Sequence, residues 1–231
     1  MIKTALMRRV RRTLGLSPNF GHLNVVEPVS RSFGFDRGTP IDRYYVGHFL
    51  ANHAHLISGH TLEVGDDSYT ARYGGTAAKP RDVIHVDPKY PATYHGDLSQ
   101  PGILPSKTFN CIVITQTLHL IFDMPAAVAQ LHAALRPGGV LLVTSPGISQ
   151  LSNDEWRESW YWSLTMMSLT RLLDDAFGPQ RAVVTCYGNV FAATAFLQGF
   201  AAEELQQCKL DVVDPLYPVT VAARVSRAND G

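Results

Sequence analysis

Short apolar runs that end in an acidic residue or a glycine constrain the fold of this chain most strongly. Residues 61–64, Thr-Leu-Glu-Val, are followed by Gly65, and residues 83–86, Val-Ile-His-Val, are followed by Asp87. A buried parallel strand has this pattern where its carboxyl end opens onto a ligand crevice. The two runs therefore predict neighbouring strands that place carboxylates at the edge of a binding site.

Strand and helix patterns alternate along the chain after residue 40. Residues 136–139, Arg-Pro-Gly-Gly, end a helical pattern and lead directly into the apolar residues 140–143. Such alternation is typical of a mostly parallel sheet covered by helices on both faces. The predicted strands are 61–65, 82–87, 92–95, 110–115, 140–144, 181–186 and 216–223, and the predicted helices are 41–57, 124–135, 154–177 and 190–201.

Composition narrows the class of protein. The 231 residues, 45% of them hydrophobic, suffice for one large α/β domain and are too few for two comfortable ones. The formal net charge of zero gives no bulk electrostatic argument for nucleic-acid binding. No run approaches the roughly 18 apolar residues of a membrane span. The cysteines are odd in number and far apart, which disfavours a disulfide framework and predicts a reducing, cytoplasmic location: Cys111, Cys186 and Cys208.

The amino-terminal segment, residues 1–16, is basic. No apolar core region follows the arginines, so a signal peptide is disfavoured. Its apolar residues fall at steps of four and predict one stripe of a helix: Ile2, Leu6, Val10 and Leu14. Two interpretations stay open, a weak contact with a membrane surface or acidic partner and a helix that docks on the domain.

The glycine pattern after the first strand distinguishes between nucleotide cofactors. A dinucleotide site needs G-x-G-x-x-G, whereas Gly65 is followed by Asp66 and Asp67, with no further glycine before Gly74. Two carboxylates would repel a pyrophosphate at this position. A cofactor that has a ribose, an adenine and a cationic sulfur but no phosphate, such as S-adenosylmethionine, fits these acids better.

Several motifs in order resemble those of the class I S-adenosylmethionine-dependent methyltransferases. The matching segments are 62–65 (Leu-Glu-Val-Gly), 86–87 (Val-Asp), 96–98 (Gly-Asp-Leu), 109–113 (Phe-Asn-Cys-Ile-Val) and 135–142 (Leu-Arg-Pro-Gly-Gly-Val-Leu-Leu). The resemblance implies an α/β Rossmann-like fold with a seven-stranded, mostly parallel sheet. It also implies S-adenosylmethionine as cofactor, S-adenosylhomocysteine as product, and a catalytic domain over residues 38–231 that follows a basic segment and loop over 1–37.

A narrower resemblance is to a type 11-like bacterial subgroup whose members are associated with glycosyltransferases in glycan and natural-product pathways. It depends on segments 40–45 (Pro-Ile-Asp-Arg-Tyr-Tyr), 115–119 (Thr-Gln-Thr-Leu-His) and 187–189 (Tyr-Gly-Asn). The first motif departs from the usual E-x-G-x-G-x-G, because Asp67 and Tyr69 stand at the second and third glycine positions.

The resemblance assigns a cofactor site. Glu63 would lie by the amino-acid moiety, Asp87 would bind the ribose hydroxyls, and Asp97 would accept from the adenine amine. Arg43 and Tyr69 would compensate for the missing glycines. The predicted cofactor-binding residues are Glu63, Gly65, Tyr69, Asp87, Asp97, Leu98, Gln116 and Arg43.

His119 is the predicted catalytic residue, because it follows the fourth strand and imidazole titrates near neutral pH. The alternative is a histidine that packs beneath the cofactor. Tyr44 and Tyr45 would form a substrate lid or belong to the apolar face of the first helix. Trp160 and Trp162 would bind the acceptor, or contribute to an ordinary helix core.

Four histidines and two acid pairs raise the question of a metal. The spacings of the histidines at 48, 53, 55 and 60 match no compact ligand set, and the acid pairs 66–67 and 174–175 are typical of a loop and a solvated helix face. We assign no metal site from the sequence, and metal dependence stays open.

The sequence predicts a methyltransferase, EC 2.1.1.-, that O-methylates a small molecule or a saccharide in glycan biosynthesis. A nicotinamide-dependent reductase on a related sheet is disfavoured by the absent glycine fingerprint. The other alternative is a catalytically inactive methyltransferase-like module that partners a glycosyltransferase, since the first motif has few glycines. The sequence leaves open whether the chain forms a homo-oligomer.

Overall fold

The structure, a computed structural model, describes residue 21 and residues 24–229, so the predicted helix over residues 1–16 lies outside the described residues. The strands form one sheet: β1 (Gly59–Val64), β2 (Ala78–His85), β3 (Tyr94–His95), β4 (Phe109–Thr115), β5 (Leu135–Pro146), β6 (Ala182–Tyr187) and β7 (Thr220–Ser226). Their order across the sheet is β3-β2-β1-β4-β5-β7-β6, and β7 runs antiparallel to both neighbours. The prediction of a seven-stranded, mostly parallel sheet is confirmed.

Helices cover both faces of the sheet, as predicted. They are α1 (Ile41–Asn52), a π-helix (Thr70–Gly74), α2 (Met124–Ala134), α3 (Met166–Phe177), α4 (Val190–Gln198) and α5 (Gln207–Leu210). Alternate residues of β4 point to opposite faces. Ile112 packs with α2 and α3 on one face, and Val113 packs with α1 on the other. A third cluster joins Tyr45 of α1 to Phe196 of α4.

The prediction of one helix over residues 154–177 is wrong. The Asp154 carboxylate accepts from the Trp156 backbone N–H and begins a short 3-10 turn, Glu155–Ser159. The Thr165 hydroxyl accepts from the Ser168 N–H and begins α3 separately. Each side chain satisfies amide donors at a helix start, so the intervening residues leave the helix and reach the end of β4.

Element ends differ from the predicted ones for local reasons. Helix α1 ends at Asn52, five residues before the predicted end at residue 57, and a 3-10 turn follows it. Asp214 accepts from the Leu216 and Tyr217 backbone N–H groups, and this turn delays β7 to Thr220. Within the described ranges, the structure has no helix whose length and apolar content would let it cross a bilayer.

Candidate active site

A cleft lies at the carboxyl ends of four adjacent parallel strands. The last residues of β1, β2, β4 and β5, namely Val64, His85, Thr115 and Pro146, all line it. Its volume is about 1210 Å³, and a typical pocket for one ligand measures about 300–1,000 Å³. The position is the crevice in which open α/β sheets bind ligands, and the volume leaves room for a cofactor and a second molecule.

Glu63, near the end of β1, caps the π-helix. Its Oε1 accepts from the Tyr69 N–H at 3.1 Å and its Oε2 from the Thr70 N–H at 2.7 Å. Burial raises the pKa of the Glu63 carboxyl to about 7, although the hydrogen bonds from Thr70 and Tyr69 oppose the rise. Both oxygens therefore have backbone partners, so the carboxylate shapes the cleft floor. Its predicted contact with the amino-acid moiety stays a prediction.

Gly65 makes close backbone approach possible. Its φ of +98° is in the region that favours glycine, and a Cβ built on it would meet none of the described atoms within 4 Å. Because Gly65 lines the cleft, that open space belongs to the cleft. A residue without a side chain therefore stands where a ligand can contact the main chain, which fits a cofactor at this strand end.

Arg43 and Tyr69 line the same end of the cleft. The Arg43 Nε lies 3.9 Å from the Asp42 carboxylate, and its guanidinium lies 6.0 Å from the Phe35 ring centroid. Burial raises the pKa of the Tyr69 hydroxyl, and the nearby Arg43 charge opposes that rise. Among the cleft-lining residues within 24–229, Arg43 alone is a lysine or arginine. It is therefore the group suited to an amino-acid carboxylate.

The end of β2 differs from its predicted geometry. His85 and Val86 line the cleft, whereas the Asp87 carboxylate lies outside the lining residues and accepts from the Lys89 N–H at 2.9 Å. The His85 ring is buried and stacks on Tyr90 at 4.3 Å. The ribose-binding role of Asp87 stays a prediction. Sequence reasoning missed His85, although it stands in the apolar run that Asp87 follows.

Asp97 and Leu98, the residues predicted to contact an adenine, both line the cleft. Asp97 Oδ1 accepts from the Ser99 N–H at 2.8 Å, which fixes the turn. The Leu98 side chain is buried, and its carbonyl accepts from Gln130. An apolar side chain and a carboxylate on one fixed turn could contact the face and the amine of a base. The assignment itself stays a prediction.

Gln116 and His119, after β4, line the cleft, and each has a buried polar atom without a partner. Gln116 has a φ of +46°, uncommon for a residue with a side chain, and its backbone N–H donates to Thr144. In the part of the chain that the structure describes, neither the buried Gln116 Nε2 nor the His119 Nδ1 has a hydrogen-bond partner. Buried polar atoms usually have a partner, and because both residues line the cleft, a bound ligand or a water molecule can complete them.

His119 is held deep in this wall. Its side chain is 2% exposed, and its ring makes an edge contact with Trp160 at 4.3 Å. Burial, together with the positive charge of Arg43, lowers the pKa of His119 to about 3. The imidazole is therefore neutral at physiological pH and can exchange a hydrogen bond with a ligand.

An aromatic wall, Phe122, Trp156, Trp160 and Tyr161, continues from His119 and lines the cleft. The His119 carbonyl accepts from the Tyr161 N–H at 3.1 Å, and the Phe122 and Tyr161 rings meet edge to face at 5.3 Å. Trp162 is not a lining residue of the cleft. Its indole N–H donates to the carbonyl of Ile121. Of the two predicted tryptophans, Trp160 faces the cleft.

Sequence reasoning missed a segment, residues 30–40 and here called the strap, that supplies part of the cleft lining. Phe33 and Phe35 of the strap line the cleft, and Phe33 stacks on Trp160 at 5.9 Å. The strap is fixed at its other side, where Thr39 Oγ1 donates to Glu203. The sequence gives no local signal for a contact between residues so far apart in the chain.

Tyr44 and Tyr45 are turned away from the cleft and are not among its lining residues. The Tyr44 hydroxyl donates to Asp211 at 2.6 Å, and the Tyr45 hydroxyl donates to the Leu210 carbonyl at 2.9 Å. Burial raises the pKa of Tyr44 to about 12. Both tyrosines attach α1 to α5, so a substrate contact would require this helix pair to separate.

A metal centre has no visible basis in residues 24–229, where no group of three or more histidine, cysteine, aspartate or glutamate side chains is placed to hold an ion.

A sequence profile described as a methyltransferase domain matches residues 26–174. No curated protein matches the chain by sequence.

Solved structures share the fold. A methyltransferase from Thermotoga maritima that depends on S-adenosylmethionine has a TM-score of 0.54 and 14% identity, over 84% of this chain and 94% of that chain. An S-adenosylmethionine-dependent methyltransferase from Mesorhizobium loti has a TM-score of 0.51 and 15% identity, over 84% and 100%. The cyclase SpnF has a TM-score of 0.55 and 16% identity, over 89% and 88%. Since one of these proteins is a cyclase, the shared fold does not by itself specify a reaction.

Proposed function

The chain belongs to the methyltransferase domain family, and from this premise we propose that it transfers the methyl group of S-adenosylmethionine to a hydroxyl group of a small molecule or saccharide. S-adenosylmethionine is the cofactor of the class I methyltransferases whose fold the chain has. The residues of the cleft fit S-adenosylmethionine: Gly65 leaves space against the main chain, and Arg43 offers a cation for the carboxylate of the cofactor. When bound, the cofactor supplies an electrophilic methyl group on a sulfonium.

The observation that carries the proposal is the pair of unpartnered atoms at the end of β4. Gln116 Nε2 is a hydrogen-bond donor, and the His119 Nδ1 of a neutral ring can be an acceptor. A hydroxyl group both accepts and donates, so it can pair with a donor and with an acceptor. A primary or secondary amine can do the same, whereas a group that only accepts can pair with one of the two atoms alone. We choose the hydroxyl on the sequence resemblance, and the position of the methyl group in the product distinguishes it from an amine.

As the O–CH3 bond forms and the S–CH3 bond breaks, the hydroxyl proton would leave to solvent water in the cleft. His119 would orient the hydroxyl and would not retain this proton. A pKa of about 3 makes the imidazole a weak base at neutral pH, because charging it would leave a buried cation beside Arg43. A hydrogen bond from the hydroxyl to Nδ1 would still direct an oxygen lone pair toward the methyl group. Positioning of this kind supplies much of the rate of a displacement that needs little covalent help.

The test uses His119→Phe, which keeps a ring against Trp160 and removes both nitrogens. The control is His132→Phe, because His132 lies on α2, where its ring meets Phe177 at 4.7 Å, outside the lining of the cleft. With a hydroxylated acceptor found by screening with labelled cofactor, we expect His119→Phe to lower kcat about 5- to 150-fold, the cost of about 1–3 kcal/mol for an unpaired polar group. Affinity for S-adenosylhomocysteine should not change, and His132→Phe should keep the wild-type rate.

Two results would overturn the proposal. One is a product in which mass spectrometry and NMR place the added methyl on nitrogen, sulfur or carbon. The other is wild-type turnover by His119→Phe. A loss beyond about 10³-fold would instead assign general-base catalysis to His119.

The inactive binding module is not favoured by the comparisons. A role in glycan biosynthesis, a link to glycosyltransferases and a cytoplasmic location stay part of the proposal, supported by the sequence resemblance alone. The oligomeric state and contact with a membrane surface also stay open.

A further inference from the structure

We infer that the acceptor half of the cleft, which is the side formed by the aromatic wall, selects an uncharged or cationic molecule with a flat ring face. It discriminates against acceptors that carry phosphate or carboxylate. This inference rests on the proposed function, because it names the class of acceptor for the same site. Among saccharides, it disfavours those activated by a nucleoside diphosphate or attached to a lipid phosphate.

The aromatic wall supplies the ring-binding surface. Its four members come from two segments, the loop after β4 and residues 156–161, which backbone hydrogen bonds join at His119. Phe33 of the strap extends the wall by stacking on Trp160. Aromatic faces bind flat apolar surfaces and attract cations through the ring quadrupole. The wall therefore suits a ring whose substituents are neutral or positive.

The charges on this side are negative. Asp123 and Asp154 line the cleft next to the wall and are exposed, so they face solvent and any ligand that enters. Asp123 caps α2 through the Ala126 N–H, and Asp154 caps the Trp156 N–H. Each carboxylate would repel an anion that lies over the wall.

Counter-charge for an anionic acceptor is missing from the described lining. Arg43 is its single lysine or arginine, and the Asp42 carboxylate is already near it. The carboxylate of the cofactor would take the remaining capacity of Arg43. Among the described residues, a phosphate over the wall would therefore meet two carboxylates and no cation beyond Arg43.

His119 independently indicates a ligand on this side. The residue is only 2% exposed, and its Nδ1 lacks a partner among the described residues. The same ring contacts Trp160 of the wall. A ligand ring on the wall can thus present a hydroxyl to Nδ1, which joins the two recognition elements in one pose.

The chain offers a direct binding signal for this half of the cleft. Its three tryptophans are Trp156, Trp160 and Trp162, all in or beside the wall. Tryptophan emission therefore reports on the wall without any need for turnover. Three phenols with the same ring but different charge are suitable probes: tyramine (cationic), tyrosol (neutral) and 4-hydroxyphenylacetate (anionic).

The experiment titrates each probe into the wild-type protein saturated with S-adenosylhomocysteine, with excitation selective for tryptophan. We expect tyramine to bind about tenfold more tightly than 4-hydroxyphenylacetate, a difference of about 1.4 kcal/mol, with tyrosol between them. In the variant Asp123→Asn/Asp154→Asn this order should flatten. Asparagine caps helices as well as aspartate does, so the fold should survive. The control Asp175→Asn removes an exposed charge on α3 and should keep the wild-type order.

Three results would overturn the inference: equal affinity for the three probes, tightest binding of 4-hydroxyphenylacetate, or no quenching by any probe at millimolar concentration. An unchanged order in the double variant would also overturn it. Failure of the proposed function is separate, because it would show as absent methyl transfer or methylation on another atom while the binding order persists.

Discussion

Replacing Gly65 with alanine tests whether the cofactor approaches the main chain at the end of β1. The new Cβ would lie in open space in the described structure, since none of its atoms comes within 4 Å. The cost to the protein alone is therefore backbone strain at a φ of +98°, about 1–3 kcal/mol. At about 2–4 °C per kcal/mol for a chain of this size, we expect the melting temperature to fall by roughly 2–12 °C.

Cofactor binding should suffer in addition, because the same Cβ would occupy the space against which the cofactor packs. Overpacking of a fitted site costs about 1–3 kcal/mol, which weakens binding about 5- to 150-fold. Gly102→Ala is the matched control. Gly102 has a φ of +81°, its Cβ would also meet none of the described atoms within 4 Å, and it is not a lining residue of the cleft.

The assay compares melting temperatures with and without S-adenosylhomocysteine for the wild type and both variants. At a ligand concentration of about 100 times the wild-type Kd, the wild type gains about 2.7 kcal/mol. Both variants should lose stability without ligand, and Gly65→Ala alone should lose most of the ligand-induced gain. Equal gains in both variants would refute the close approach, and the cofactor would then bind elsewhere in the cleft.

Three further predictions concern buried groups and packing. Burial raises the pKa of Glu63 to about 7 from its ordinary 4.5, so between these pH values the folded state binds more protons than the unfolded state. The free energy of unfolding should therefore fall by up to about 3 kcal/mol as pH rises from 4.5 to about 7. Denaturant titrations at several pH values in this range should show a smaller fall for Glu63→Gln than for the wild type. Because the pKa of His119 is lowered to about 3, NMR should show no titration of its ring near the ordinary value of about 6.5, and a transition there would contradict its burial. Gly199→Ala should cost at least about 2 kcal/mol of unfolding free energy, more than Gly102→Ala, because its Cβ would clash with the Ser30 carbonyl oxygen at a φ of +76°.

The sheet and the strand ends could be predicted from the sequence, because buried parallel strands are short apolar runs with abrupt ends. Glu63 lies within such a run, Gly65 and Gln116 follow such runs directly, and the structure places all three at the cleft. The orientation of a side chain one or two residues beyond the end of a strand is harder to predict. Asp87 is the example, since a local turn directs its carboxylate to Lys89 and leaves His85 at the cleft.

Contacts between distant segments could not be predicted. The strap is fixed by pairs such as Thr39 with Glu203, which lie 164 residues apart. The orientation of Tyr45 depends in the same way on the Leu210 carbonyl. The prediction of one helix over residues 154–177 is wrong for another reason. The apolar residues there have helical spacing, but the side chains of Asp154 and Thr165 each cap the start of a separate element and so interrupt the helix.

Direct binding of the methyl donor tests the central claim that this cleft is the cofactor site of a methyltransferase. Equilibrium dialysis with labelled S-adenosylmethionine should give saturable binding at one site per chain. Unlabelled S-adenosylhomocysteine should displace the label. Gly65→Ala should weaken the binding of S-adenosylmethionine, and Gly102→Ala should not. The absence of detectable binding to the wild type at millimolar concentration would contradict the account.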